Sequence, residues 1–180
     1  MESFASHREE NAAGELDRMT SDAGTMAVKA VRNSAKAIII AGELLLAIKQ
    51  YDAEGDWYTL PGGGQHPGET LVKALQRECL EELGVGVEVG PLRHIREYIG
   101  ANHEFADEDA DTHQVELMFE CSLLADPFVS KPVLPDERQV GIAWLPLADL
   151  ASYRLYPKEL RAVLAHGIDP DACIYLGDTN

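Results

Sequence analysis

The sequence is short of positive charge. Its 15 lysines and arginines stand against 31 aspartates and glutamates, a formal net charge of −16. Binding to nucleic-acid polymers runs on neutralisation of phosphates by Lys and Arg, so this balance argues against a polymer partner. A small anionic substrate stays open wherever a metal cation supplies the missing charge. Cysteine is scarce too. The three, Cys79, Cys121 and Cys173, are far apart and odd in number, which makes neither a zinc spacing nor a disulfide framework. They read as reduced thiols of a cytoplasmic protein. The six histidines form no HxxxH cluster, so zinc is not expected. No apolar run is long enough to span a bilayer: AIIIAGELLLAI is broken by Gly42 and Glu43. The start, MESFASHREENAAGELDR, lacks the apolar core of a signal peptide.

What is present suits one domain: 180 residues, 46% of them apolar. Residues 1–27 carry six acids, two bases and few large apolar side chains, which predicts a disordered or loosely packed tail. The domain is expected over 28–180. AKAIIIAG and ELLLAIKQ read as two strands joined by a tight turn at Ala41–Gly42, followed by a polar loop at 51–56 and a short strand, WYTL. PGGGQHPGE, with four glycines and two prolines in nine residues, must be a loop. Thr70 to Leu83 is the strongest helical segment, stopped by Gly84. VGVEVG, LRHIREYIG, HQVELMFECSLL and VGIAWLPL are strand-like. ANHEFADEDAD holds five acids and no base and reads as an exposed loop. YPKELRAVLAHG signals a final helix, with Pro157 at its first position and Gly167 as its cap. This order predicts an α+β class or a mixed sheet between helices, not a doubly wound parallel sheet.

The unusual stretch is RECLEELGV, residues 77–85. On a helix, Glu78 faces Glu81 and Glu82, and like charges at that spacing repel. Leu71, Leu75, Cys79 and Leu83 form one apolar stripe at 3.6 residues per turn. Glu82 projects near the centre of that stripe, Glu78 at its edge, and Glu81 further round on the same side. A carboxylate aimed inward must be paired, protonated or bound to metal. Arg77 reaches Glu81 one turn on and the loop holding Glu69, but one arginine cannot balance four glutamates. Oxygen donors without nitrogen or sulfur suit Mg²⁺ or Mn²⁺. Gly62, Gly63 and Gly64 let backbone approach a ligand closely. They are not a P-loop, because no GK[ST] follows.

Gly63 to Val85 resembles the Nudix box: a glycine, Glu69, the Arg77-Glu78 pair, the Glu81-Glu82 pair and Gly84-Val85 at fixed spacing. Cys79 stands where the family usually has Ile, Leu or Val, and cysteine is a small buried hydrophobe. WYTLPGGG before the box and Trp144-Leu145-Pro146 after it are similar as well. The resemblance implies a mixed β-sheet between helices, an α/β/α sandwich. It implies Mg²⁺- or Mn²⁺-dependent hydrolysis of a pyrophosphate bond in a nucleoside diphosphate linked to another group. It makes Glu78 and Glu82 principal metal ligands and Glu81 a further ligand that in some members is also the base, with the Gly62 carbonyl completing the set. Arg77 then orients the glutamates and Glu69 braces the loop. For the general base it points outside the box, to Glu137 first and Glu116 second. His113, at a strand start, is open to two roles, a substrate contact or the structural one more usual for a lone histidine. Trp57, Tyr98 and Phe105 are the aromatics suited to stacking on a base. The partner is a small nucleotide, not a nucleic-acid polymer or a membrane, and the sequence leaves room for a homodimer. Two other functions fit the same resemblance. A non-catalytic nucleotide sensor usually loses box glutamates, and here all three are present. A prenyl diphosphate isomerase needs further acid and cysteine residues that have no place in this chain.

Overall fold

Two apolar runs start the domain. β1 (Arg32–Ala41) and β2 (Leu44–Asp52) form a hairpin in which Ala41 pairs with Leu44. The turn is therefore Gly42–Glu43, one residue later than expected, and Gly42 supplies the left-handed backbone at φ 61°. The computed structural model describes residues 30–127 and 139–180, so the 1–27 tail and the start of the domain at Val28 lie outside the described residues. β3 (Gly55–Thr59) pairs with β2 from Asp52↔Gly55 onward, which reduces the polar 51–56 loop to a two-residue turn. α1 (Leu71–Leu83) follows the glycine loop. Thr70 caps its N-terminus by accepting from the Lys73 amide, and Gly84 ends it in the left-handed conformation at φ 71°.

The two strand-like segments after the helix are one strand, β4 (Val87–Ile99). Its register against β5 (His113–Leu123) shifts between Val89 and Leu92 and again between Leu92 and His94. The Gly90–Pro91 pair sits in the first shift, where a bulge accommodates a residue without an N–H. The acidic stretch between β4 and β5 is more than a loop: it carries a 3₁₀ turn at Gly100–Asn102 and a one-turn helix, α2 (Ala106–Asp109). β6 (Gln139–Pro146), β7 (Leu155–Tyr156), α3 (Leu160–Val163) and β8 (Tyr175–Asp178) complete the order. The expected final helix is shorter than its signals, and Pro157 lies before it instead of in its first turn. Leu160 and Leu164 are both fully buried, so packing of those two leucines, not the distant Gly167, sets its extent. β8 was not foreseen. It is short, and it is held by a parallel partner, β4, that is remote in sequence.

Among the described residues the strand order is β7-β3-β2-β1-β5-β4-β8, with β6 paired to β2. The sheet is mixed: β1–β5, β3–β7 and β4–β8 are parallel, and the rest antiparallel. β1 pairs with β2 only at the hairpin end, at Ile40↔Leu45 and Ala41↔Leu44, while residues 32–39 pair with β5. The two halves of the sheet thus splay apart, and the glycine loop occupies the opened edge of β1. The Ala35 amide donates to the Gly63 carbonyl at 2.9 Å, and that of Ala37 to Pro61 at 2.8 Å.

Alternation along the strands feeds two cores. Ala35, Ala37, Ile39, Leu46 and Ile48 pack under Leu75, Cys79 and Leu83 of α1. Ile38, Leu45, Ala47 and Met118 pack on the other face with Leu150, Leu155, Leu160 and Leu164. A helix on one face and the α3 region on the other make the α+β sandwich expected from the sequence. No helix among the described residues is long and apolar enough to cross a membrane.

Candidate active site

The apolar stripe of α1 fixes the direction of every glutamate beside it. With Leu75, Cys79 and Leu83 fully buried, Glu82 is carried inward and is 5% exposed. Its Oε2 accepts from the Gly62 amide at 2.7 Å. A buried carboxylate needs such a donor, and the loop supplies it. Gly62 has φ 114°, and a Cβ there would overlap the Ala35 carbonyl. Gly63 leaves room for Glu78: a Cβ on it would lie 2.6 Å from the Glu78 carboxyl carbon. Close approach of loop and helix therefore depends on both glycines.

Arg77 gathers the other acids. Its Nε donates to Glu69 Oε1 at 3.0 Å and its Nη2 to Glu69 Oε2 at 3.2 Å, a two-point pair. Nη1 reaches Glu78 Oε1 at 2.8 Å and Glu81 Oε2 at 3.3 Å. Nη2 also donates to the Gly64 carbonyl at 2.9 Å. The Arg77 guanidinium, helped by the His66 amide, holds the Glu69 carboxyl down at about 2. The same acids keep Arg77 protonated, Glu69 foremost. The repulsion read from RECLEELGV is thus partly relieved by one guanidinium serving three carboxylates, which leaves a net negative cluster at the loop.

The structure brings Glu69, Arg77, Glu78, Glu81, Glu82 and Gly62 together. Among the described residues no three His, Cys, Asp or Glu side chains converge as a ready-made cage. Arg77 and the Gly62 amide take carboxylate oxygens that a cation would otherwise use. The donors nonetheless fit a hard divalent ion: they are all oxygen, and the Gly63 cradle admits the Glu78 carboxylate against backbone.

Other candidates fare differently. Glu137 lies outside the described residues. Gln139, two positions on, donates from Nε2 to the Glu82 carbonyl at 2.9 Å. Glu116 is not a surface acid. It is 5% exposed and accepts from Arg96 Nε at 2.6 Å and Gln114 Nε2 at 2.8 Å. Burial opposes its ionisation, but the charges of Arg96 and Lys36 and these hydrogen bonds outweigh burial and hold its carboxyl below the usual range. His113 opens β5 opposite Ile99, half-buried. Tyr98 is unsuited to stacking on a ligand: it is buried, its hydroxyl donates to Asp109 at 2.9 Å, and its ring already stacks on His103 at 5.3 Å. Trp57 and Phe105 converge on Tyr156, edge to face at 6.1 and 5.9 Å.

The sequence reading missed Lys36, Arg96 and Tyr156. With Thr59, Leu60 and Glu116 they line a cavity of about 50 Å³ where the sheet splays beside the glycine loop. Lys36 had a signal, as the one charge in the apolar run AKAIIIA; Arg96 and Tyr156 had none, because their partners are across the fold.

A family model for the NUDIX domain matches residues 30–166. The chain is 44% identical over 54 residues to the human "8-oxo-dGDP phosphatase NUDT18", a match covering 30% of this chain and 16% of that protein. It is 31% identical over 93 residues to "Nucleoside triphosphatase NudI" of Enterobacter sp. (strain 638), covering 51% of this chain and 62% of that one. The chain therefore spans less than two thirds of either curated relative. A NUDIX hydrolase structure from Nitrosomonas europaea shares its fold, with a TM-score of 0.56 at 20% identity over 69% of this chain and 78% of that one. With the family model matched across most of its length, and with the loop and helix of the box built as described above, this chain belongs to the NUDIX domain family.

Proposed function

We propose that the protein hydrolyses a pyrophosphate bond in a nucleoside diphosphate linked to another group, with Mg²⁺ or Mn²⁺ as cofactor. The observation that carries this reading is the packing of Glu69, Glu78 and Glu81 around Arg77, with Glu82 buried against the Gly62 amide. Glu78, Glu81, Glu82 and the Gly62 carbonyl are the groups that would hold the cation. Bound there, a divalent ion supplies neutralisation of the diphosphate and acidification of a water.

The chain's own residues do the rest. Arg77 and Glu69 lock the glycine loop to α1, so that the carboxylates meet substrate from a rigid element. For the proton of the attacking water, Glu137 is the proposed acceptor. Glu116 is unsuited to that task, since an ion-paired carboxylate of lowered pKa is a weak base. Trp57 and Phe105, gathered on Tyr156, are the aromatics offered to a base.

The relatives' names put nucleoside di- and triphosphates first in a substrate panel, oxidised guanine nucleotides among them. The test is a panel of nucleoside di- and triphosphates, nucleotide sugars and dinucleoside polyphosphates with each metal, products identified by phosphorus NMR. Cleavage between two phosphorus atoms supports the assignment. Tight nucleotide binding with no turnover under any metal would sink it in favour of a sensing module.

A further inference from the structure

β1 addresses the glycine loop with alternate side chains, the spacing that puts residues 32, 34 and 36 on one face of a strand. Ser34 Oγ donates to the Gly63 carbonyl at 3.0 Å, and Lys36 Nζ donates to the Gly62 carbonyl. A Cβ on Gly64 would overlap the Arg32 guanidinium. Lys36 is the inner member of this row. One side of its ammonium meets Gly62, the residue whose amide holds Glu82. Lys36 also lines the cavity, together with Arg96 and Glu116.

The two cations of that cavity are not equivalent. Arg96 is committed, with Nε on Glu116 and Nη1 on the Thr179 carbonyl. Its plane also lies over the Tyr98 ring at 5.3 Å. Lys36 is half-buried, donates to the Gly62 carbonyl and acts on the Glu116 carboxyl through its charge. An ammonium has three donors, and the Gly62 carbonyl takes one. In a chain of net charge −16, a lysine that borders both the glycine loop of the acidic cluster and an open cavity is placed for an anion that arrives from outside. The cavity is too small for a nucleoside but large enough for ordered water or one phosphoryl oxygen group.

We infer that Lys36 is a substrate-binding residue that receives an oxygen of the diphosphate on the cleft side of the Gly62 carbonyl. This rests on the diphosphate hydrolase reading above and adds a residue from outside the box. It sets a requirement on substrate class: the diphosphate must run from the carboxylate cluster into the splayed cleft past Lys36. A phosphate monoester that ends at the cluster gains nothing from it.

The test compares Lys36→Met and Lys36→Gln with the parent, using imidodiphosphate plus Mg²⁺ as a non-hydrolysable probe and the best panel nucleotide as substrate. Loss of a charge-assisted hydrogen bond predicts binding of the probe weakened by about tenfold to a hundredfold in both variants. The loss should fall on KM more than kcat. Lys36→Gln keeps a donor for the Gly62 carbonyl, so its melting temperature should match the parent's. If Lys36 merely braces the loop, Lys36→Gln restores probe affinity, and that result overturns the inference. Parent-like KM and probe affinity in Lys36→Met also overturn it, while turnover by that variant leaves the hydrolase reading standing. A parent that neither binds the probe nor cleaves any nucleotide overturns both.

Discussion

The Gly62 amide donates to Glu82 Oε2 at 2.7 Å, joining the glycine loop to the buried face of α1 across 20 residues of sequence. This bond gives the Glu82 carboxylate a donor where it is carried in beside Leu75, Cys79 and Leu83. It also sets what each change at the site should do.

Glu82→Gln and Glu78→Gln keep the volume of the side chains and remove a charge that the proposed cation needs. Turnover should fall by about 10²-fold or more in each, the scale of losing an electrostatic group at a reacting centre. Mg²⁺ should stop raising the melting temperature, because ligand binding to the native state is what stabilises it. Thermal melts with and without metal, beside phosphate release, check both. Glu82→Ala should do further harm to the fold, about 1–3 kcal/mol, by leaving the Gly62 amide without its acceptor.

Gly62→Ala and Gly63→Ala should separate stability from function. At φ 114° a Cβ on Gly62 is strained and meets the Ala35 carbonyl, so urea denaturation should show a loss of about 1–3 kcal/mol. The backbone of Gly63 is outside the positive-φ region, and its Cβ would instead collide with the Glu78 carboxylate at 2.6 Å. Gly63→Ala should fold and show weakened Mg²⁺ binding by calorimetry.

The Arg77–Glu69 pair makes a pH prediction with a definite sign. Glu69 titrates near 2 in the folded chain against an ordinary value of 4.5. A carboxylate with a lowered folded pKa stabilises the protein fully above the unfolded value and loses that support as pH falls. Stability should therefore decline between about pH 4.5 and 2 in the parent. In Arg77→Gln, carboxyl NMR should find Glu69 titrating higher than in the parent but still below its ordinary value, because the His66 amide remains, and the part of the acid sensitivity that Arg77 supplies should disappear.

Thiol chemistry tests the packing of the core. Burial raises the Cys79 thiol well above its usual range, and it pushes Cys121 up to about 12. Cys173 is exposed. In native protein a disulfide reagent should modify one thiol quickly, Cys173, and should reach the other two only in denaturant. Cys173→Ser should abolish the fast phase.

The box could be read in the sequence because its logic is local. Leu71 to Leu83 carry a 3.6-residue period, Thr70 and Gly84 carry the caps, and side chains three and four apart on a helix must be neighbours. The inward direction of Glu82 and the reach of Arg77 follow from that period alone. The α+β class followed in the same way from strand alternation. Other features depended on contacts between residues far apart in the chain. Glu116 reads as a surface acid until Arg96 is seen on the neighbouring strand, and the acidic 101–111 stretch reads as a loop until Asp178 of β8 is seen binding the Ile99 amide and the side chains of Asn102 and His103. β8 itself is four residues long, with too little pattern to announce a strand. The course of α1 and the clustering of its carboxylates could be read without the fold, because both are written in spacing within one element. The tertiary structure decided that β1 splays from β2, that the glycine loop fills the gap, and that Lys36 reaches the Gly62 carbonyl, because hydrogen bonds between remote backbones leave no trace in local order.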